Sequence, residues 1–173
     1  MRRTGEYVEL QRRCRAILSD LGVPRSLSLD AIRKRVEELR GRPLILKELP
    51  EQAASTGVCG LWLGTDDADY VFYEGRTAPV HREHIILHEI GHVLCDHHRG
   101  VTVRADALTG RLLDGLQPRL VQRLMARTGY STTEEREAEM IASLIQSAGK
   151  TGRPAGALGR LGAYLGVRTD GGE

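Results

Sequence analysis

Two histidines four residues apart, with a glutamate directly after the first, form the most distinctive group of reactive side chains in this sequence. On an α-helix, His88 and His92 differ by about 40° around the axis and about 6 Å along it, so both imidazoles can bind one ion. The carboxylate of Glu89 can then act as general base toward a water on Zn²⁺. The spacing therefore matches the His-Glu-x-x-His pattern of zinc hydrolases.

The residues around this motif predict a largely buried helix, which we expect from about Val80 to His98. Its apolar side chains are Ile85, Ile86, Leu87, Ile90, Val93 and Leu94. Gly91 leaves room for another backbone to come close to the site. The alternative is a core helix whose histidines only form hydrogen bonds, but the chain has just six histidines, and a chance match to the full pattern is rare.

A catalytic zinc ion usually has three protein ligands, so the motif alone does not complete a site. Cys95 shares the helical stripe but lies about 10 Å of rise from His88, which is too far for one ion. His98 has the ten-residue spacing of a three-histidine motif, but that motif needs a glycine where Cys95 stands, and a continuing helix would turn His98 away. His97 is a weaker candidate. His84 shares the stripe and could touch the ligands, but we expect a surface or capping role for it.

A later helix offers carboxylates for the third position, as in the His₂Glu set of zinc peptidases. Ser131–Glu134 predicts a capping box, with the helix running to about Ala148. Glu135 and Glu139 lie on one stripe, and Glu137 lies on another, so spacing alone leaves the choice of ligand open. The first stripe also contains two small residues that would let the helices approach, Ala138 and Ala142. Alternatively, all these glutamates form a solvated first turn that the helix dipole favours.

Hydrophobic periodicity predicts an α+β fold. Two amphipathic helices are expected over residues 6–21 and from Ser28 to Gly41. Three strands follow at 44–49, 58–63 and 70–73, with an Asp/Gly-rich hairpin turn between the last two, and an edge strand of this sheet could receive an extended peptide. We expect a small, mostly antiparallel three-stranded sheet packed with helices. Beyond the motif, a loop at 99–115 could lie over the site, and helices are expected at 116–127, 131–148 and 155–165.

Length and composition favour a single domain over residues 1–173. Residues 1–42 would form an N-terminal helical segment, 43–148 the core, and 149–173 a C-terminal helix and tail. Three distant cysteines form no disulfide framework and indicate a reducing compartment. No stretch approaches the roughly 18 apolar residues of a membrane span, so we expect a cytoplasmic protein without a membrane partner.

Charge gives little support for nucleic-acid binding. The formal net charge is +2, although residues 1–42 hold 11 Lys and Arg against 6 Asp and Glu. Two short basic helices there could suggest a helix-turn-helix, but the linker lacks the compact turn of that motif, and the apolar stripes indicate core contacts. We therefore expect no direct nucleic-acid partner.

Two segments carry a resemblance to a known family. His88–Leu94 and Glu135–Ala142 together resemble the ImmA/IrrE metallopeptidases, whose signature pairs H-E-x-G-H with a downstream E-x-x-A-N-x-F-A. The resemblance covers about residues 44–146 and implies a zincin-like core. This chain departs from the signature at Glu139, where Asn is usual, and at Ile141, where Phe is usual.

The resemblance also implies roles for individual residues. The metal ligands would be His88, His92 and Glu135, with Glu135 rather than Glu137 as the third, and Glu89 would be the catalytic base. The implied activity is zinc-dependent endopeptidase cleavage of a protein substrate, a helix-turn-helix repressor. The alternative is a non-catalytic, metal-containing regulatory or toxin-antitoxin-like module that acts by binding a DNA-binding partner.

Overall fold

A computed structural model describes residues 2–22, 28–51, 57–97 and 129–151 of the chain. Within these ranges the chain forms four helices and three strands, which confirms a mixed α and β fold. In chain order they are α1 Arg2–Asp20, α2 Leu29–Arg40, β1 Leu44–Glu48, β2 Gly60–Gly64, β3 Asp69–Tyr73, α3 Pro79–Leu94 and α4 Thr132–Thr151. The loop predicted at 99–115 and the helices predicted at 116–127 and 155–165 lie outside the described residues.

The three predicted strands form one sheet in the order β1-β3-β2. Strand β2 pairs antiparallel with β3, with Trp62 opposite Val71, whereas β1 pairs parallel with β3, with Leu44 opposite Asp69. The sheet is therefore mixed, and the expectation of a mostly antiparallel sheet was wrong for one of its two strand pairs. The reason is topological, because the hairpin places β3 in the centre and β1 joins its far side after a longer connection.

The hairpin turn between β2 and β3 lies where the Asp/Gly-rich segment predicts it. The backbone N–H of Thr65 donates to the carbonyl of Ala68 at 2.8 Å, and the N–H of Ala68 donates back to Oγ1 of Thr65 at 3.0 Å. The Thr65 hydroxyl also donates to the Ala68 carbonyl at 2.8 Å. These bonds close the turn and fix the register of the two strands.

A buried carboxylate at the start of β3 ties the sheet to the segment that follows α2. Asp69 is 1% exposed and accepts two bonds from Arg42, at 2.7 and 2.8 Å. Arg40 and the indole N–H of Trp62 donate to the same carboxylate, at 3.2 and 3.0 Å. Burial alone would raise the pKa of Asp69, but these donors lower it below its usual value. Asp69 is therefore an ionised structural anchor.

The helix termini follow predicted capping signals at α2 and α4. Ser28 caps α2 by accepting a bond from the N–H of Ala31, and Gly41 ends the helix with φ of +65°. At α4, the N–H of Ser131 donates to the Glu134 carboxylate at 2.7 Å, and the N–H of Glu134 donates to the Ser131 hydroxyl at 3.3 Å. This reciprocal pair confirms the predicted capping box.

One hydrophobic core joins the described helices and the sheet. Helices α3 and α4 pack against each other, α3 also packs on the sheet, and α1 packs on α4. The buried residues of this core are Cys14, Ile32, Val36, Leu44, Trp62, Val71, Ile86, Leu87, Ile90, Val93, Met140, Ile141, Ala142 and Ile145. In the described ranges no helix combines the length and apolar character needed to cross a membrane. The division into segments at 42 and 148 stays a prediction.

Candidate metal centre

Helix α3 places the motif histidines beside α4. Pro79 starts the helix, where its missing N–H costs nothing, and five of the six predicted apolar side chains are buried, whereas Leu94 is partly buried. His88 and His92 project from adjacent turns toward the first half of α4. Their ring centroids lie 4.9 Å apart, so the helical spacing brings the two imidazoles together as expected.

The C-terminus of α3 differs from the expectation, because the helix ends at Leu94 and does not continue to His98. The N–H of His97 bonds to the carbonyl of His92 at 3.1 Å, and the N–H of Asp96 bonds to that of Val93 at 3.2 Å. This is a Schellman motif with Asp96 in the left-handed position that glycine usually takes, at φ of 49°. Aspartate tolerates this conformation better than most residues, so the missing glycine at position 95 does not extend the helix. His98 itself lies outside the described residues.

Three side chains from α3 and α4 converge on one point. The Nε2 atoms of His88 and His92 are 3.2 Å apart. Carboxylate oxygens of Glu135 lie 3.3 Å from Nε2 of His88 and 3.7 Å from Nε2 of His92. Ligands about 2.0 to 2.1 Å from a tetrahedral zinc ion would be about 3.3 Å from one another. The three donors could therefore hold a metal ion.

The glutamates of α4 that sequence spacing left open occupy different surroundings. Only Glu135 reaches the pair of Nε2 atoms. Glu137 is buried on another side of α4, where it binds Nε2 of His97 at 2.8 Å and forms an ion pair with Arg13 of α1. The structure therefore brings Glu135 into the site together with the two histidines.

Glu139 contacts the back of His88. Its Oε2 lies 3.4 Å from Nδ1 of His88 and 3.0 Å from Nε2 of His84. Burial raises the pKa of Glu139, but the interactions with His84 and His88 together lower it by a larger amount, so the net shift is downward. An ionised carboxylate on Nδ1 favours the His88 tautomer whose Nε2 is free to bind a metal. His84, for which a surface or capping role is expected, also lines the cleft and contacts Glu139.

Glu89 lies beside the three donors and is only 6% exposed. Strand β2 comes close to it, since a Cβ on Gly60 would lie 2.5 Å from Oε1 of Glu89. Burial raises the pKa of Glu89 to about 8, and the carboxylate of Glu135 adds to this rise. In the metal-free protein, Glu89 therefore binds a proton much more tightly than an ordinary carboxylate.

His92 is the most enclosed of the three donors. Burial, followed by the neighbouring His88 and His97, lowers the pKa of His92 to about 3. The ring of Tyr130 stacks on His92 with centroids 3.7 Å apart and planes at 14°. Burial also raises the pKa of the Tyr130 phenol, and Glu89 contributes to that rise. At neutral pH both His92 and Tyr130 are uncharged, and an uncharged imidazole is the form that binds metals.

The donors open onto a cleft of about 530 Å³ among the described residues. Its walls come from β2 and the residues before it, from α3, and from the start of α4. The residues that line it are Gly57, Val58, Cys59, Gly60, Leu61, His84, Ile85, His88, Glu89, His92, Gly129, Tyr130 and Glu135. The site is therefore accessible to a molecule larger than water.

Sequence spacing did not predict that His97 and Tyr130 contact His92. His97 was ranked as a poor third ligand, yet its Nδ1 lies 2.9 Å from Nδ1 of His92. Tyr130 had no positional argument at all, because it is separated from the motif by about 40 residues without regular spacing. The clustering of all six histidines between positions 81 and 98 was the available signal for His97.

Comparisons with known proteins found no matching family model, no matching curated protein and no matching solved structure. The resemblance to the ImmA/IrrE metallopeptidases accordingly stays a prediction from the motif residues.

Proposed function

We propose that this protein is a zinc-dependent endopeptidase similar to the ImmA/IrrE metallopeptidases, acting in the cytoplasm on a helix-turn-helix repressor. The observation that carries the proposal is the convergence of His88, His92 and Glu135, with Glu89 beside them in an open cleft. Nitrogen and carboxylate donors at these separations suit Zn²⁺, and three protein ligands are typical of catalytic rather than structural zinc sites.

The three donors would hold the metal ion, and other residues of the cleft would transfer protons and orient the substrate. Zn²⁺ bound there would polarise a substrate carbonyl and lower the pKa of a water molecule. Glu89 accepts a proton from the water whose oxygen bonds to the carbonyl carbon, and it passes this proton to the amine that leaves when the peptide bond breaks. Its position supports this role, since Glu89 lines the same cleft as the three donors.

The cleft also suits an extended peptide. Strand β2 is an edge strand of the described sheet, and Gly60 and Leu61 of this strand line the cleft beside Glu89. Backbone groups at the edge of a sheet can bind a peptide in the β conformation. Such pairing would lay a scissile bond along the wall of the cleft and next to the metal donors. Tyr130 and His84 line the same cleft and are the candidates for a hydrogen bond to the substrate carbonyl.

The test is co-expression with the helix-turn-helix repressor encoded by a neighbouring gene, comparing wild type with Glu89→Gln. We expect wild type to produce a repressor fragment and Glu89→Gln to reduce cleavage at least ~100-fold, since it removes the general base. Glu83→Gln is the matched control, because Glu83 is an exposed glutamate on the same helix and should leave cleavage unchanged.

Metal analysis of the same purified proteins completes the test. Wild type and Glu89→Gln should each contain one equivalent of zinc, since Glu89 is not a ligand. Protein without stoichiometric metal, or equal cleavage by Glu89→Gln and wild type, would overturn the proposal. Metal-loaded wild type that binds the repressor without cleaving it would instead favour the non-catalytic regulatory module.

A further inference from the structure

A chain of three polar side chains runs from the back of His92 to the N-terminal helix. Nδ1 of His92 lies 2.9 Å from Nδ1 of His97, Nε2 of His97 lies 2.8 Å from the Glu137 carboxylate, and Arg13 pairs with the other oxygen of Glu137. We propose that His97, Glu137 and Arg13 are positioning residues that hold His92 in the ring orientation and tautomer required for metal binding. This inference rests on the metal site proposed above.

The hydrogen-bond pattern allows a single consistent assignment when His92 binds metal through Nε2. That nitrogen then carries no proton, so Nδ1 of His92 must be protonated and donates to Nδ1 of His97. The proton of neutral His97 consequently lies on Nε2, which donates to Glu137. The carboxylate of Glu137 accepts this bond with one oxygen and receives the Arg13 guanidinium on the other. Each link fixes the direction of the next.

Burial makes this chain costly to break. His92 is 1% exposed, and His97 and Glu137 are 7% exposed each. Leaving a buried polar atom without a partner costs more free energy than an intact hydrogen bond contributes to stability. Rotation of the His92 ring would break the bond between the Nδ1 atoms of His92 and His97, so the ring is held with Nε2 toward His88.

Local structure explains how His97 reaches this position. The Schellman turn after α3 reverses the chain, and Asp96 in the left-handed conformation carries His97 back under His92. Arg13 comes from α1, which packs on α4 near Glu137. The N-terminal helix therefore contributes a charge to the metal site without entering the cleft.

The same cluster could be read as a second metal site, because donor atoms of Cys95, His97 and Glu137 lie within 4.8 Å of one another. The contacts favour the positioning role instead. Both nitrogens of His97 already have partners, and a guanidinium lies against Glu137, where it would repel a bound cation. The cluster is also adjacent to His92, so hydrogen bonds through His97 and the Arg13–Glu137 ion pair explain its arrangement without a second ion.

Zinc affinity and histidine tautomers test the inference on the full-length protein. We expect His97→Phe to fill a similar space, remove the acceptor for His92 and weaken zinc binding about 10- to 100-fold in competition with a chromophoric chelator. His97→Gln should restore most of the affinity, because its amide oxygen can accept from His92 and its amide nitrogen can donate to Glu137. Arg13→Met should weaken binding less than His97→Phe, since it acts through two intervening residues.

A control variant and an NMR measurement on wild type distinguish the possible outcomes. Arg12→Met is the matched control for Arg13→Met, because Arg12 is exposed and pairs only with Glu9 in the described contacts. In zinc-loaded wild type, nitrogen NMR of labelled histidines should show His92 protonated on Nδ1 and His97 protonated on Nε2. Either opposite tautomer would overturn the inference, even if His97→Phe failed to fold.

The remaining outcomes assign any failure to one proposal. Wild-type zinc binding that is unchanged in folded His97→Phe would overturn the positioning role and leave the proposed function standing. Two zinc equivalents in wild type and one in His97→Phe would show that the cluster is a second metal site, and this result would overturn the positioning role. Wild type that binds no zinc would overturn the proposed function itself.

Discussion

Gly91 of α3 lies against the backbone of Ala138 in α4, with no side chain between them. A Cβ on Gly91 would lie 2.8 Å from the Cα of Ala138 and 2.9 Å from its carbonyl oxygen. Both positions are closer than real Cβ contacts allow, and the obstructing atoms are main chain. This contact brings α3 near enough to α4 for Glu135 to reach His88 and His92.

Gly91→Ala should therefore destabilise the protein, although alanine is the better helix former. The added methyl must push α4 away, and we expect a loss of about 1–3 kcal/mol in the free energy of unfolding, measured by urea titration. Zinc affinity should fall as well, because Glu135 moves with α4. Gly5→Ala is the control, since a Cβ there meets nothing within 4 Å and should stabilise α1 slightly. Equal stability of Gly91→Ala and wild type would contradict the close packing.

Glu135→Gln should lower zinc affinity more than any other Glu→Gln change on α4. The amide is neutral and a poor zinc ligand, so we expect a loss of about 100-fold or more in chelator competition. Glu134→Gln tests neighbouring charge without removing a ligand, because Glu134 serves the helix cap and glutamine can keep that bond. A larger effect at Glu137 than at Glu135 would show that the third ligand is misassigned.

The metal-free protein should lose stability with rising pH through Glu89. Its pKa is raised from 4.5 to about 8 in the folded state, so the folded protein binds this proton more tightly than the unfolded chain. The contribution is fully present below about pH 4.5 and is lost as pH rises through about 8. His92, with its lowered pKa, has the opposite sign and destabilises the fold as pH falls from 6.5 toward 3.

Thermal melts of the apo proteins from pH 4.5 to 8.5 isolate the Glu89 contribution. Glu89→Gln cannot ionise at this position, whereas His92 is present in both proteins and its effect cancels in the difference. We expect the melting temperature of Glu89→Gln to rise relative to wild type across this range. A difference that does not change with pH would show that Glu89 has an ordinary pKa when the metal is absent.

Local sequence patterns predicted the features that depend on neighbours in the chain. The three strands, the hairpin turn at residues 64–69, and the caps at Ser28 and Ser131 all depend on short-range backbone chemistry. The pairing of His88 and His92 is equally local, since helical periodicity alone brings the rings together. Gly91 was expected to admit a second backbone, and Ala138 provides it.

The end of α3 shows where a local rule was incomplete. Without a glycine at position 95, the local rule predicts that the helix continues, but the left-handed residue is Asp96, one position later. A Schellman motif needs one residue that tolerates positive φ, and aspartate is among the few non-glycine residues that do. His97, which follows the turn, consequently returns to His92, whereas a continuous helix would have carried it away.

By itself, the sequence determined a helix with two histidines and a glutamate, and it limited the third donor to a small set of carboxylates on a second helix. Tertiary structure decided the rest. The choice of Glu135 depends on how α4 is rotated and how closely it approaches α3, and the support of His92 by His97, Glu137 and Arg13 joins three helices. The parallel pairing of β1 with β3 is likewise a long-range choice. Hydrophobic periodicity specifies which face of an element is buried, but not which partner covers it, so these relationships exist only once the core is packed.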